Sequence, residues 1–167
     1  MVAGRAGLGV TACGDQSEKA VPGSESIVET WTRDVLTLDG NVDISSDYPF
    51  TDELDPGQAT KMQVDFGKRK QGGLDAVFFI VYVGQTERTE ENYAAAKQAA
   101  LRKFTAIHRM TDEFYSDQIG LAYKPDDVTR IDKEGRKVAI IGIENGYAIG
   151  RDISLVADYY DRGARYM

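Results

Sequence analysis

V-A-I-I-G-I-E-N-G, residues 138–146, is the stretch whose reading decides the fold. From Val138 to Ile143 it carries no charge and is mostly β-branched, and it lacks the alternation of a strand with one wet face. Such a run suits a strand covered on both faces, as in a parallel sheet. Glu144 follows at once. A carboxylate at the carboxyl end of a buried strand either opens a solvated loop or stands where α/β folds place their chemistry.

The rest of the chain repeats the pattern. Ala76-Val77-Phe78-Phe79-Ile80-Val81-Tyr82-Val83 is the most apolar run and the clearest strand, again without alternation. Thr89 is placed to cap a long helix, with Glu90 and Glu91 in its first turn where the helix dipole favours negative charge. Leu101, Phe104, Ile107 and Phe114 form that helix's apolar stripe, and His108 sits at its edge as a packed or half-exposed helical residue without assigned chemistry. Earlier, Ser24 caps an expected short helix with Ile27, Val28 and Trp31 on one face, ending near Arg33. Val35 to Leu38 reads as a strand running on through Asp39-Gly40-Asn41-Val42-Asp43-Ile44. Alternation places Asn41 and Asp43 on one side, either as a candidate metal or substrate site or as a Gly-Asn turn. Residues 45–57 form a long loop, and a helix or irregular crossover fills 58–70. Residues 124–137 read as polar connection, and Asp152 is positioned to cap a helix from Ile153 to Arg162 with Val156, Tyr159 and Tyr160 on its apolar face. Gly163 stops that helix, and Ala164 to Met167 begins another strand. Three buried strands joined by helical crossovers, with a fourth started, make a parallel α/β architecture.

Composition narrows the function classes. The chain has 167 residues, room for one ordinary domain. A net charge of -7 argues against a nucleic-acid surface, which needs clustered Lys and Arg. One cysteine, Cys13, and one histidine, His108, rule out an internal disulfide framework and a cysteine-rich zinc site, and leave few routes to imidazole-assisted nucleophilic catalysis. No stretch approaches the roughly 20 apolar residues of a membrane span. Residues 1–23 are small and Gly-rich, and Val10-Thr11-Ala12-Cys13-Gly14 resembles the lipobox of bacterial lipoproteins. On that reading residues 1–23 are a leader and tether, Cys13 carries lipid, and the protein sits in the bacterial cell envelope, in the periplasm or on the outer membrane. With Cys13 incidental, the expectation is cytoplasmic.

Three segments together carry a family likeness: Leu36-Thr37-Leu38-Asp39-Gly40-Asn41-Val42-Asp43-Ile44; Gly72-Gly73-Leu74-Asp75 running into the Ala76–Val83 strand; and Gly142-Ile143-Glu144-Asn145-Gly146-Tyr147 with the helix leading to Gly163-Ala164-Arg165-Tyr166-Met167. In order and spacing they resemble the membrane (renal) dipeptidase family, zinc peptidases of the amidohydrolase superfamily. The resemblance spans about residues 24–167 and implies an incomplete domain, the N-terminal three to four βα units of a (β/α)8 TIM-type barrel. It further implies a dipeptide substrate, two zinc ions and a metal-held hydroxide that attacks the peptide carbonyl. Asp43 matches the aspartate of a His-x-Asp zinc pair and Glu144 the carboxylate bridging both ions, while Asn41 stands at the histidine position. An amide oxygen is a weak ligand where imidazole binds zinc well. Tyr147 stands where many members have histidine. The remaining ligands belong to later strands of the family, so the chain alone is expected to be inactive, and the complete protein is expected to be a metallopeptidase that forms a homodimer. The alternative is a noncatalytic binding or surface protein of this fold that has lost its first metal site. A third reading is a free-standing small α/β domain.

Overall fold

The structure is a computed structural model and describes residues 35–45 and 47–167. The leader, Cys13 and the helix expected after Ser24 lie outside the described residues. The elements are β1 (Leu38–Asp43), α1 (Phe66–Gln71), β2 (Ala76–Tyr82), α2 (Glu90–Arg109), β3 (Ile119–Leu121), α3 (Pro125–Lys133), β4 (Lys137–Glu144), α4 (Leu155–Asp161) and β5 (Ala164–Tyr166). A π-helical turn, Met110–Phe114, extends α2, and a 3-10 turn, Tyr147–Ile149, follows β4.

All strand pairs are parallel. The two apolar runs are neighbours, paired from Ala76 with Val138 to Tyr82 with Glu144. β1 lies on the far side of β2, and β4 meets two short strands at its other edge, β3 beside Lys137–Ala139 and β5 beside Ile141–Gly142. Surrounded this way, β4 is buried from Val138 through Ile143, which is why its sequence carries no polar alternation.

The sheet is covered on both faces by different means. Val77, Phe79 and Val81 of β2 and Ala139, Ile141 and Ile143 of β4 pack with Ala96, Ala100, Phe104 and Ile107 of α2. Ala76, Val138 and Ile140 pack with Ala122 and Ile131, against which Phe78 and Val128 also lie. β4 sits between β2 and β3 in space although β3 precedes it in the chain. The chain therefore reverses direction across the sheet, and right-handed crossovers send α2 and α3 to opposite faces. Arg69 of α1 reaches under the sheet, its buried guanidinium donating to the carbonyls of Asp75 and Val138 at 2.7 and 3.1 Å.

Several expected elements differ in extent. Residues 124–137 are not merely connection: Pro125 starts α3, whose high polarity hides a two-residue apolar contact, Val128 and Ile131. β3 has three residues, too few to show a period. In the 58–70 crossover only α1 is helical. The last helix begins at Leu155; Asp152 accepts from the Ser154 amide and hydroxyl ahead of it, and the buried residues are Leu155 and Tyr159, with Val156 and Tyr160 exposed. Phe114 is exposed as well, because the π-helical turn rotates it off the α2 stripe. The Thr89 cap holds, accepting from the Asn92 amide at 3.2 Å, and Gly163 adopts φ 108° directly after α4. The architecture is a parallel α/β sheet in which β1, β2, β4 and β5 follow one another in chain order, as in the N-terminal part of a (β/α)8 barrel, with β3 an added short strand beside the start of β4.

Candidate active site

The carboxyl ends of β1, β2 and β4 collect the polar side chains. β1 pairs Leu38 with Ala76 and Asp39 with Val77, then Val42 with Phe79 and Asp43 with Ile80, so one extra residue is accommodated around Gly40 and Asn41. This bulge interrupts the alternation expected to put Asn41 and Asp43 on one side, and re-aims the side chains as bulges beside sites do. Asn41 crosses to β4, its Nδ2 donating to Glu144 Oε2 at 3.3 Å. Asp43 instead accepts from Lys103 Nζ of α2 at 2.8 Å.

Glu144 is exposed at the end of a strand buried along its length. The residue after it holds the turn. Asn145 has φ 66°, a left-handed conformation that Asn tolerates better than most side chains. Its Nδ2 donates to the Val83 carbonyl at 3.0 Å and its Oδ1 accepts from the Tyr147 amide at 2.9 Å, tying the ends of β2 and β4 together. Tyr166 of β5 closes the other side. Its hydroxyl donates to the Gly40 carbonyl at 2.6 Å and its ring lies 4.9 Å from that of Phe78. Burial, with the charges of Glu144 and Asp39, raises the Tyr166 phenol above its ordinary value, so it stays a donor. Tyr147, at a position noted for histidine, hydrogen-bonds Thr86 Oγ1 and the Glu87 carbonyl at 2.9 and 2.7 Å and serves the loop after β2.

Lys103, Asn145 and Tyr166 have no site role in the expectations drawn from the sequence. Lys103 had a legible signal: Ala96, Ala100, Lys103 and Ile107 share helical spacing, so a lysine stands on a buried face. It is 8% exposed, and the Tyr82 ring centroid lies 5.7 Å from its ammonium. An ammonium that deep needs a counter-charge, and Asp43 supplies it. His108 meets the Arg162 carbonyl through Nε2 at 2.8 Å, a link between α2 and the end of α4, in keeping with a packing role.

Do these residues suit zinc? At the position built from Asn41 and Asp43 they do not. The Asn41 amide nitrogen, which cannot ligate, faces Glu144, and the Asp43 carboxylate is already held by an ammonium. Among the described residues no group of three or more His, Cys, Asp and Glu side chains could hold a metal ion. Nor is any helix among them long and apolar enough to cross a membrane.

The sequence profile of the family described as "Membrane dipeptidase (Peptidase family M19)" matches residues 27–167. The chain is 28% identical over 125 residues to dipeptidase tcpJ of Claviceps purpurea, covering 72% of this chain and 29% of that protein. It is 31% identical over 108 residues to dipeptidase ataJ of Aspergillus terreus, covering 62% and 26%. Among solved structures it superposes on the probable dipeptidase PvdM from Pseudomonas aeruginosa with a TM-score of 0.76 and 21% identity, over 83% of this chain and 36% of that one. A metallo peptidase from Rhodobacter sphaeroides, liganded with a phosphinate mimic of the dipeptide L-Ala-D-Ala, superposes with a TM-score of 0.62 and 17% identity, over 78% and 44%. The chain spans between about a quarter and under a half of the length of these relatives. With the family profile matched over most of its length, the chain belongs to the membrane dipeptidase family, peptidase family M19.

Proposed function

We propose that this chain is the N-terminal βα portion of a dipeptidase, which hydrolyses the amide bond of a dipeptide bound over the carboxyl ends of its strands once the barrel is complete. The observation that carries the reading is the meeting of Asn41 and Glu144, 103 residues apart, at the ends of β1 and β4 in a chain of this family. Active sites of (β/α)8 barrels lie at that end. Amide hydrolysis needs a polarised carbonyl and an activated water; in the resemblance zinc supplies both. Of this chain's residues, Glu144 provides the carboxylate at the reacting end, Asn41 holds its Oε2, and Asn145 fixes the turn behind it. A dinuclear zinc centre is what the resemblance implies, while the surroundings of Asp43 favour at least one ion fewer. The Rhodobacter relative's dipeptide-mimic complex supports the substrate class. The 167-residue chain by itself is proposed to be inactive, since Glu144 lacks a full set of partners.

The test joins this chain to the remaining strands of the family barrel and follows amine release from a panel of L,L- and L,D-dipeptides. Turnover that falls more than about a hundredfold in Glu144→Gln, the scale of losing a group that acts in the transition state, is expected. Complete absence of turnover would favour the noncatalytic reading, to which the Lys103–Asp43 pair already lends weight. Lipid attachment through Cys13 in a bacterial envelope and dimerisation of the complete protein are further parts of the proposal, tested by labelling with a fatty-acid analogue and by sedimentation.

A further inference from the structure

We infer that the Lys103 ammonium is a built-in replacement for a metal cation at Asp43, so that this position is neutralised by the protein itself. The inference rests on reading the strand ends as the dipeptide site. Three observations carry it. Lys103 occupies a core position of α2, is 8% exposed and ends 2.8 Å from Asp43 Oδ1. Its ammonium also faces the Tyr82 ring, so the charge is held by a carboxylate on β1 and an aromatic face on β2. Asn41 turns an amide N–H, rather than a ligating atom, toward Glu144.

The charge arithmetic follows from these contacts. Asp43 and Glu144 are carboxylates at the ends of β1 and β4, with β2 between them, and a site that held them beside a dication would need ligands able to displace water and protons. Here the Lys103 ammonium sets one positive charge against Asp43 Oδ1, and a neutral amide satisfies one oxygen of Glu144. An incoming zinc ion would have to share the Asp43 carboxylate with the ammonium that holds Oδ1, against the repulsion of that positive charge, and would find no imidazole. The strand ends are thus assembled without an ion at the first position, whereas Glu144 retains a second oxygen for partners on other strands.

Zinc titration of the 167-residue chain by calorimetry, with thermal unfolding followed by circular dichroism, tests this directly. Four proteins are compared: wild type, Asn41→His, Lys103→Met, and the double variant N41H/K103M. Wild type and Asn41→His are expected to bind Zn2+ weakly and to show no rise in unfolding midpoint. The double variant is expected to bind at least about tenfold more tightly than either and to be stabilised by the ion through mass action. Should Lys103→Met fail to unfold cooperatively, the near-isosteric Lys103→Gln takes its place in both roles. Wild-type binding as tight as that of the double variant, or no gain in the double variant, overturns the inference. Neither readout uses dipeptide turnover, so a failure of the hydrolase reading shows in the completed barrel's assay alone, and a failure of the ammonium reading shows in the zinc titration alone.

Discussion

Asn145 carries more of the strand-end geometry than its place in a loop suggests. Its left-handed backbone and two side-chain hydrogen bonds set where β4 stops and Glu144 begins to project. Asn145→Ala is expected to cost about 2 kcal/mol in urea unfolding, from the lost bonds and the strained φ, whereas Asn145→Gly relieves the φ and should cost less. Gly142 is constrained for a different reason. A Cβ there would lie 2.5 Å from Cζ of Tyr166, so Gly142→Ala must push the ring aside. The expected loss is about 1–2 kcal/mol, for the hydrogen bond to Gly40 and the contact with Phe78, with a visible change in the near-ultraviolet circular dichroism of the tyrosines.

At the scale of elements, α2 depends on its cap and the sheet base depends on a charge cluster. Thr89→Ala removes the acceptor for the Asn92 amide and is expected to lower stability by about 1 kcal/mol, with Thr89→Ser close to wild type by denaturant midpoint. Asp75 joins three elements: it accepts from Lys137 Nζ of β4 at 2.9 Å and from the Thr37 amide at 3.1 Å. Burial opposes its ionisation, but these hydrogen bonds prevail and hold its pKa below the ordinary 3.8. A depressed folded-state pKa contributes stability that is complete above the unfolded value and lost as pH falls through the folded one. Asp75→Asn should therefore be less stable than wild type at pH 7, and the gap should close on acidification below about pH 4. A gap independent of pH would show that the carboxylate's charge is not what matters there.

The molecule as a whole leaves part of one sheet face open. A cleft of about 550 Å³ is lined by Leu36, Leu38, Phe78, Val128 and Ile140 among others. Leu36 and Leu38 are 39% and 54% exposed. Apolar surface of this kind is sticky when left wet. The 167-residue chain is expected to bind a hydrophobic dye and to self-associate with rising concentration in sedimentation. Leu38→Gln should lower dye binding without lowering helix content. A monomeric species with a sharp two-state transition and no dye binding would instead support a free-standing small domain.

What could be read from the residues in order was whatever depends on local chemistry. The unalternating runs at Ala76–Tyr82 and Val138–Ile143 announced a parallel sheet because strands covered on both faces have no wet side to alternate with. The Thr89 cap and the stop at Gly163 were legible because a cap hydroxyl and a left-handed glycine act on their own neighbours. Glu144 and Asp43 could be singled out as carboxylates near strand ends. The three-residue β3 and the polar α3 leave no periodic trace in the sequence because their stability comes from β4 and from a two-residue contact, not from a period of their own. Only the tertiary structure decided which partner each site residue takes. The bulge at Gly40 and Asn41 shifts the register by one residue, and a lysine 60 positions away in the chain reaches Asp43. Side-chain pairing over that separation follows from how a helix lies on a sheet, which no local pattern encodes. The sequence therefore names the candidates, and packing determines that Asp43 is matched to Lys103 and Glu144 to Asn41.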